Sequence, residues 1–329
     1  MNWVVRRTIN LVLTIVISVS VTFFIVRIMP GNPIDTLIQE YLIEGYSYRE
    51  ALTAVHAIIG YMPDQPLHIQ YIDYWKAILR GDLGRSVSLA TPVAQILGFA
   101  IPWTVFIVSI SLLLSFALGV VLGVYAAYRR GSLFDHSISV FASISRSIPP
   151  YIIGVMFVVF LAIQLRLFPA YGPYGGGITP GFTLQFIGSV LYHAALPVIT
   201  YVVTTFGGWM LAMKSNTVSV LGEYYVVAAK ARGLPERRIS LTYVGRNAIL
   251  PLFTRFAISI GHMFGGVVFV ETIFSYPGIG SYLSYALGVR DWTLMTGCFL
   301  LITIAVVVSN FVADLLYSRL DPRIRFSAK

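Results

Sequence analysis

Charge is what this chain has least of. Only 11 % of its 329 residues are Asp, Glu, Lys or Arg, while 57 % are hydrophobic. A soluble domain carries about 25 % charged residues, so a chain this poor in them could not cover a water-facing surface. Cysteine is nearly absent too: Cys298 stands alone, which excludes an internal disulfide framework and a cysteine-based metal cluster. The five histidines, His56, His68, His136, His193 and His262, fall in no metal-ligand spacing, and no H-E-x-x-H occurs. A phosphate-cradling loop is missing as well. The nearest stretch, GWMLAMKS from Gly208 to Ser215, lacks the second glycine and sits at the end of an apolar run. ATP hydrolysis is therefore not expected on this chain, nor any other enzyme activity, and no cofactor. No row of Asp, Glu or His crosses the apolar segments, which argues against an ion-coupled carrier, and no arginine ladder suggests a voltage sensor. His193 and His262 lie at or within apolar runs. Each reads either as a transport group or as a neutral histidine bonded to a neighbouring helix.

Long apolar runs are what the sequence has instead, and mean hydropathy is +0.79. A membrane-crossing helix needs about 20 mostly apolar residues. Five clear runs meet that need, at 9–29, 102–128, 148–168, 196–213 and 293–317. The second carries Gly119 and Gly123, four apart, which permits close helix approach. A sixth run, 253–271, is shorter and holds Gly261, Gly265, Gly266 and His262, so hydropathy alone leaves a re-entrant segment open. Parity favours a full span. With six spans, Arg6, Arg7, Arg129, Arg130, the basic 214–251 loop and the tail Arg319, Arg323, Arg325 and Lys329 share one side, as the positive-inside rule requires. The same rule accounts for the net charge of +9 without nucleic acid. The expected fold is an all-α integral membrane protein of six transmembrane helices, multi-pass in the cell membrane and surrounded by lipid, with both termini cytoplasmic. The first run is longer than a signal-peptide core and is followed by RIMPGNP instead of a small-residue cleavage site, so it is expected to persist as the first span within residues 1–30.

Residues 31–100 are too polar for lipid and are mildly acidic. Ser47 and Glu50 form the pattern of a capping box before an apolar-periodic run. Pro66 stands like a first helical residue ahead of Ile69, Ile72, Trp75 and Ile78 along one face. A small helical external subdomain follows from these signals. Between the third and fourth spans, 169–181 is dominated by glycine and proline, the composition of an irregular, packed loop. The membrane core would then be 101–318, with the cytoplasmic loop at 214–251 and the tail at 319–329.

Within that loop, EYYVVAAKARGLPERRISLTYVGRNAILP runs from Glu223 to Pro251. Glu223 suits a helix N-terminus, Ala228, Ala229 and Ala231 favour helix, and Lys230 and Arg232 fall in its last turn. Gly233 stands where a left-handed C′ residue belongs, and Pro235 opens a second helix at a first-turn position. The expected arrangement is helix, sharp turn, helix, then Pro251 at the entry to the next span. A loop that only sets topology needs no more than scattered Lys and Arg. It does not need a capped short helix with small residues that let another surface approach.

That stretch resembles the "EAA" loop of ABC-importer permeases, in the form found in the dipeptide/oligopeptide/nickel group. The matching residues are Glu223, Tyr225, Val226, Ala229, Ala231, Gly233, Leu234, Ile239, Arg246, Asn247, Ala248 and Pro251. Val227 stands where the general motif has a glutamate, and the interval from Gly233 to Pro251 is longer than in sugar permeases. Further matches follow in order: MPGNP at 29–33, DQPLHIQYIDYWKAILRGDLGRS at 64–86, SIPPYIIG at 147–154, HAALPVIT at 193–200, ETIFSYPGIG at 271–280 and DPRIR at 321–325. The chain is similar to the B-type subunit, which has a long external segment after its first span. The resemblance implies a homologous second permease subunit, two ABC ATPase subunits that hold ATP and Mg, and an extracellular solute-binding protein. It implies that Glu223, Tyr224, Tyr225, Ala228, Ala229, Ala231, Gly233, Leu234 and Pro235 couple to the ATPases. Peptides are the implied cargo, with oligosaccharides or nickel as alternatives within the same machinery.

Overall fold

The computed structural model describes residues 3–28, 33–59 and 65–320, and the side chains of 3–4, 26–28, 33–34, 59, 262–267 and 314–320 are outside that description. The MPGNP, DQPLH and DPRIR matches therefore lie wholly or partly outside the described residues, as does the side chain of His262. In order, the elements are α1 Trp3–Ile28, α2 Pro33–Ile43, α3 Tyr48–Ile59, α4 Leu67–Leu79, α5 Val93–Tyr128, α6 Leu133–Ser147 and α7 Pro150–Phe157, the last continued by a π-helical stretch Val158–Gln164. Then come α8 Leu184–Leu221, α9 Tyr224–Ala231, the single turn α10 Glu236–Arg238, a second π-helical stretch Ile239–Gly245, α11 Arg246–Ile273, α12 Ile279–Val289 and α13 Trp292–Leu320. Among the described residues there is no strand, only an isolated bridge between Arg85 and Pro92. This is an all-α membrane protein. Among the described residues four helices are long and apolar enough to cross a bilayer, Val5–Ile25, Val93–Tyr128, Leu184–Leu221 and Trp292–Ala313, or five if the bent pair Leu133–Ser147 with Pro150–Gln164 is one span.

The other two expected spans take a different form. Residues 148–168 are not a separate helix but the second arm of a bent pair, in which α6 meets α7 and its π-helical continuation at 98°. Pro149 and Pro150 break the run, since proline removes a backbone donor and crowds the preceding turn. Residues 253–271 lie inside the longer α11. Pro102 and Pro251, which mark span starts on the sequence signals, lie inside helices instead, as does Pro197. Neighbouring helices in a membrane re-satisfy the backbone groups that proline frees.

Contacts divide the chain into two units, residues 1–104 with 277–311 and residues 105–276 with 312–329. In the first unit the capping box forms as expected. The Ser47 amide and hydroxyl donate to Glu50 Oε2 at 2.8 and 2.7 Å. These bonds, the hydroxyl's first, hold the exposed Glu50 carboxyl below its ordinary range. The face assigned to α4 does not hold, because Ile69 and Ile72 are exposed. The helix seats through Tyr71 and Tyr74, whose rings pack on Phe23 of α1, with the Ser20 and Tyr71 hydroxyls 2.6 Å apart. Aromatic rings with a polar end can satisfy both the packing and the hydrogen bond there, and isoleucine cannot. The GDLGRS signature makes a local clamp. The Gly84 amide donates to Asp82 Oδ1, and Ser86 Oγ, Ser88 N and Ser88 Oγ all donate to Asp291 Oδ2. Asp291, 1 % exposed, also caps α13 by accepting from the Leu294 amide.

The second unit is organised around α8. Gly119 and Gly123 of α5 lie against Trp209, Met210, Met213 and Lys214 so closely that a Cβ at either would strike α8, which is the close approach their spacing implies. Gly207 of α8 meets the Ala142 backbone of α6 in the same way, and the Ser145 hydroxyl donates to the Val203 carbonyl. Lys214 of α8 pairs with Asp135 of α6, and Asn216 Nδ2 donates to the Ala248 carbonyl of α11 at 3.1 Å. α6 is inside-out by the standards of a soluble helix. Asp135, Ala142 and Ser145 are buried, while Leu133, Val140, Phe141 and Ile144 are exposed. That is the pattern of a helix whose outer face meets lipid and whose inner face uses small and polar residues as contacts. The glycine-rich loop is packed, as expected. The Gly172 amide donates to the Phe274 carbonyl at 2.9 Å, Gly175 N to Ser189 Oγ at 2.9 Å and the Tyr192 hydroxyl to the Leu167 carbonyl at 2.7 Å.

Candidate functional site

The segment singled out by its sequence folds into a short, doubly terminated helix. α9 begins after Glu223, which takes the N-cap position in extended conformation without a side-chain cap bond. It ends at Arg232, and Gly233 follows at φ +69°. The Gly233 amide donates to the Lys230 carbonyl at 2.9 Å and the Leu234 amide to the Ala229 carbonyl at 3.3 Å. These are the two bonds of a Schellman motif, which needs a left-handed residue at the position Gly233 holds. Leu234 packs with Ala229, the apolar contact that accompanies the motif. Pro235 takes the N-cap of α10 instead of its first helical position. The chain then continues through the π-helical stretch into α11 without a break, so no separate second helix stands before the span.

The faces of α9 divide cleanly. Val226 and Ala229, three apart, are buried against Ile239 and Val244, with Val220, Leu221, Leu234 and Tyr243 around them. Tyr224, Val227, Ala228 and Ala231, at the i, i+3, i+4, i+7 spacing of one helix face, are exposed. Tyr224 is 92 % and Val227 56 % exposed. Ala229 therefore serves the loop's own packing and is not available to an outside surface, whereas Ala228 and Ala231 are. Tyr225 is exposed as well. Val227, the departure from the general motif's glutamate, lies in the middle of the outward stripe. Lys230, Arg232, Arg237 and Arg238 are all exposed, and none makes an ion pair among the described residues.

Two anchors hold this loop in place, and sequence reasoning identified neither of them. The buried Asp135 accepts from Lys214 and from the Gly131 amide at 3.1 Å, tying α8 to α6. The Asn216–Ala248 bond ties α8 to α11 just inside the loop. Glu271, the last residue of the expected span 253–271, is 1 % exposed, so a buried acidic group does occur there. One signal was available: Ser132 and Asp135 repeat the capping-box spacing, and Ser132 Oγ accepts from the Asp135 amide at 3.2 Å at the start of α6. The GWMLAMKS stretch is interior to α8, a helix and not a loop. His193 Nδ1 lies 2.8 Å from the Ser189 carbonyl of its own helix, and not against a neighbouring helix as expected. Among the described residues no group of His, Cys, Asp or Glu could hold a metal ion.

Comparison with known proteins places this arrangement in a family. Residues 119–326 match the model of the binding-protein-dependent transport system inner membrane component. The chain is 30 % identical, over 98 % of its length and 99 % of the relative's, to a probable peptide ABC transporter permease protein of Sinorhizobium fredii. It is 30 % identical to the di/tripeptide transport system permease protein of Pseudomonas aeruginosa, over 99 % of each chain. It is 28 % identical to the oligopeptide transport system permease protein of Bacillus subtilis, over 98 % of this chain and 99 % of that one. The matched region takes in α8, the capped helix α9 and α11 together, and the chain belongs to the family of binding-protein-dependent transport system inner membrane components.

Proposed function

We propose that this chain is the transmembrane permease subunit of an ABC importer for di- and oligopeptides. It spans the cell membrane six times with both termini in the cytoplasm. It pairs with a homologous second permease, receives peptide from an extracellular solute-binding protein and is driven by two ABC ATPases that supply the ATP and Mg chemistry. The observation that carries the substrate class is end-to-end similarity to permeases named for peptides.

The coupling role rests on α9. Its Schellman-terminated end and its packed inner face make it a short rigid rod. Its inner face is seated between the end of α8, at Val220 and Leu221, and the helical run leading into α11, at Ile239 and Val244. A force on its outer stripe of Tyr224, Val227, Ala228 and Ala231 therefore reaches both α8 and α11. An ATPase groove that grips this stripe and closes on ATP would rock those two helices together. The π-helical stretch Ile239–Gly245 supplies a wider turn at the base of α11, the kind of irregularity found at functional joints.

Purification of the tagged chain in detergent tests the assembly. A second multi-span chain and one or two P-loop ATPases are expected to co-purify. The reconstituted complex is expected to accumulate labelled dipeptide when ATP is supplied, in preference to an oligosaccharide or nickel. Uptake driven by an ion gradient without ATP would overturn this reading.

A further inference from the structure

The second unit contains a cavity of about 590 Å³ whose wall carries positive charge and no negative charge. Its lining comes mainly from α8, with Leu112 from α5, Arg146 from α6, Pro150 from α7, and Arg255 and Ser259 from α11. We propose that this cavity binds the carboxylate of the transported substrate through Arg146 and Arg255. The inference rests on the peptide-importer reading and deepens it.

Position argues first. Lys214 and Asp135 pair α8 to α6 near the Arg129–Gly131 turn. Arg146 lies eleven residues further along α6, about 16 Å at the helical rise. The Ser145–Val203 bond confirms that this end of α6 reaches the middle of α8. Arg255 lies seven residues into α11 from Ala248, about 10 Å beyond the Asn216 bond. Arg146 stands in the last turn of α6 and both arginines are exposed, so what separates them from topology-setting charge is their level along α8, abreast of Val203 and Gly208 and away from its Lys214 end. A charge held inside membrane helices is costly and faces a cavity or a partner.

Chemistry argues second. Among the described residues neither guanidinium has a hydrogen bond, an ion pair or a ring contact. The planar guanidinium fork matches a carboxylate in two parallel hydrogen bonds, geometry a lysine cannot offer. The neighbouring hydroxyls of Thr204, Thr205 and Ser259 donate to carbonyls of their own helices, those of Thr200, Tyr201 and Arg255. Each keeps its oxygen lone pairs as acceptors, and the substrate's amide N–H groups are donors. Gly208 adds no bulk to the wall, because a Cβ there would meet nothing within 4 Å. The wall thus offers an anion fork with acceptors beside it, which suits the carboxyl end of a peptide and gives an uncharged sugar no equivalent anchor.

The test uses the assembled transporter in ATP-loaded proteoliposomes, with its binding protein saturated by each cargo. Uptake of a dipeptide is compared with uptake of the same dipeptide as its C-terminal amide. The unaltered complex is expected to favour the free acid at least tenfold, and R146Q/R255Q is expected to bring that ratio close to one. The single variant R255Q reports the same ratio if the double variant fails to assemble, with binding-protein-stimulated ATP hydrolysis as the sign of assembly. No preference for the acid in the unaltered complex, or a preference that survives both substitutions, overturns the proposal and leaves the peptide reading standing. Equal loss of both cargoes overturns it as well, since the arginines would then be structural. Loss of co-purifying phosphatidylglycerol with an unchanged ratio marks a lipid-headgroup site and overturns it too. Failure of the unaltered complex to import any peptide overturns the peptide reading itself.

Discussion

Replacing Gly233 by valine isolates the conformation of one residue. Gly233 sits at φ +69°, and a Cβ built on it would meet no atom within 4 Å, so a side chain there causes no collision. The whole effect lies in the backbone. A left-handed conformation costs an L-residue roughly 1–2 kcal/mol, with β-branched residues at the upper end. If the chain escapes that strain by unwinding, it forfeits the Gly233–Lys230 and Leu234–Ala229 bonds, each worth about 0.5–1.5 kcal/mol net. The two losses are comparable, so the turn is left near balance, its equilibrium shifted about tenfold or more at 1.4 kcal/mol per decade. ATP-dependent uptake by Gly233→Val is expected to fall while ATP hydrolysis by the complex continues. The amount of protein in the membrane should not change, because Gly233 is exposed. Gly233→Ala should be milder. Gly233→Asn should be mildest, since asparagine tolerates this conformation. Uptake and hydrolysis measured side by side in proteoliposomes provide the check. Wild-type uptake by the valine variant would refute the reasoning. Asparagine as damaging as valine would also refute it, because the glycine would then be serving close contact with a partner.

Two further substitutions probe the scaffold. In Gly123→Val the new Cβ would press on the Met210 carbonyl, the Met213 side chain and the Lys214 amide. A loss of about 1–3 kcal/mol from overpacking is expected, read as a lower unfolding midpoint in detergent, whereas Gly98→Val, facing open space, should cost distinctly less. Asp291→Ala should destabilise the chain by roughly 2–4 kcal/mol, because it strips the acceptor from the Ser88 and Leu294 amides and from two serine hydroxyls. Asp291→Asn, which keeps one carbonyl oxygen, is expected to fall between, by the same midpoint assay.

Local signals survived into the structure wherever a residue's own backbone carries the information. Gly233 is left-handed because helix termination demands it there, and Ser47 bonds Glu50 because the two are three residues apart on a helix start. Signals that need to know the neighbour mostly did not survive, the Gly119–Gly123 spacing excepted. Ile69 and Ile72 look like a seat for α4, yet in a chain that meets lipid an apolar stripe can as well face outward. α6 looks polar enough for a loop, yet its polar and small residues point inward to Lys214, Gly207 and the Val203 carbonyl. The prolines at 102 and 251 look like span starts and are helix interiors, because packing against neighbouring helices tolerates what an isolated helix would not.

The sequence by itself determined the environment, the all-α class and the family. Apolar runs of bilayer length, too little charge for a water-facing surface and a capped basic loop leave few other readings, and all of them are properties of composition and short spacing. Only the tertiary structure decided which side of α9 is offered outward, that α9 is seated between the end of α8 and the helical run leading into α11, and that Arg146 and Arg255 line one cavity. The first two depend on how the chain folds back across its turns and the last on residues 109 positions apart meeting across helices, and no local pattern encodes either.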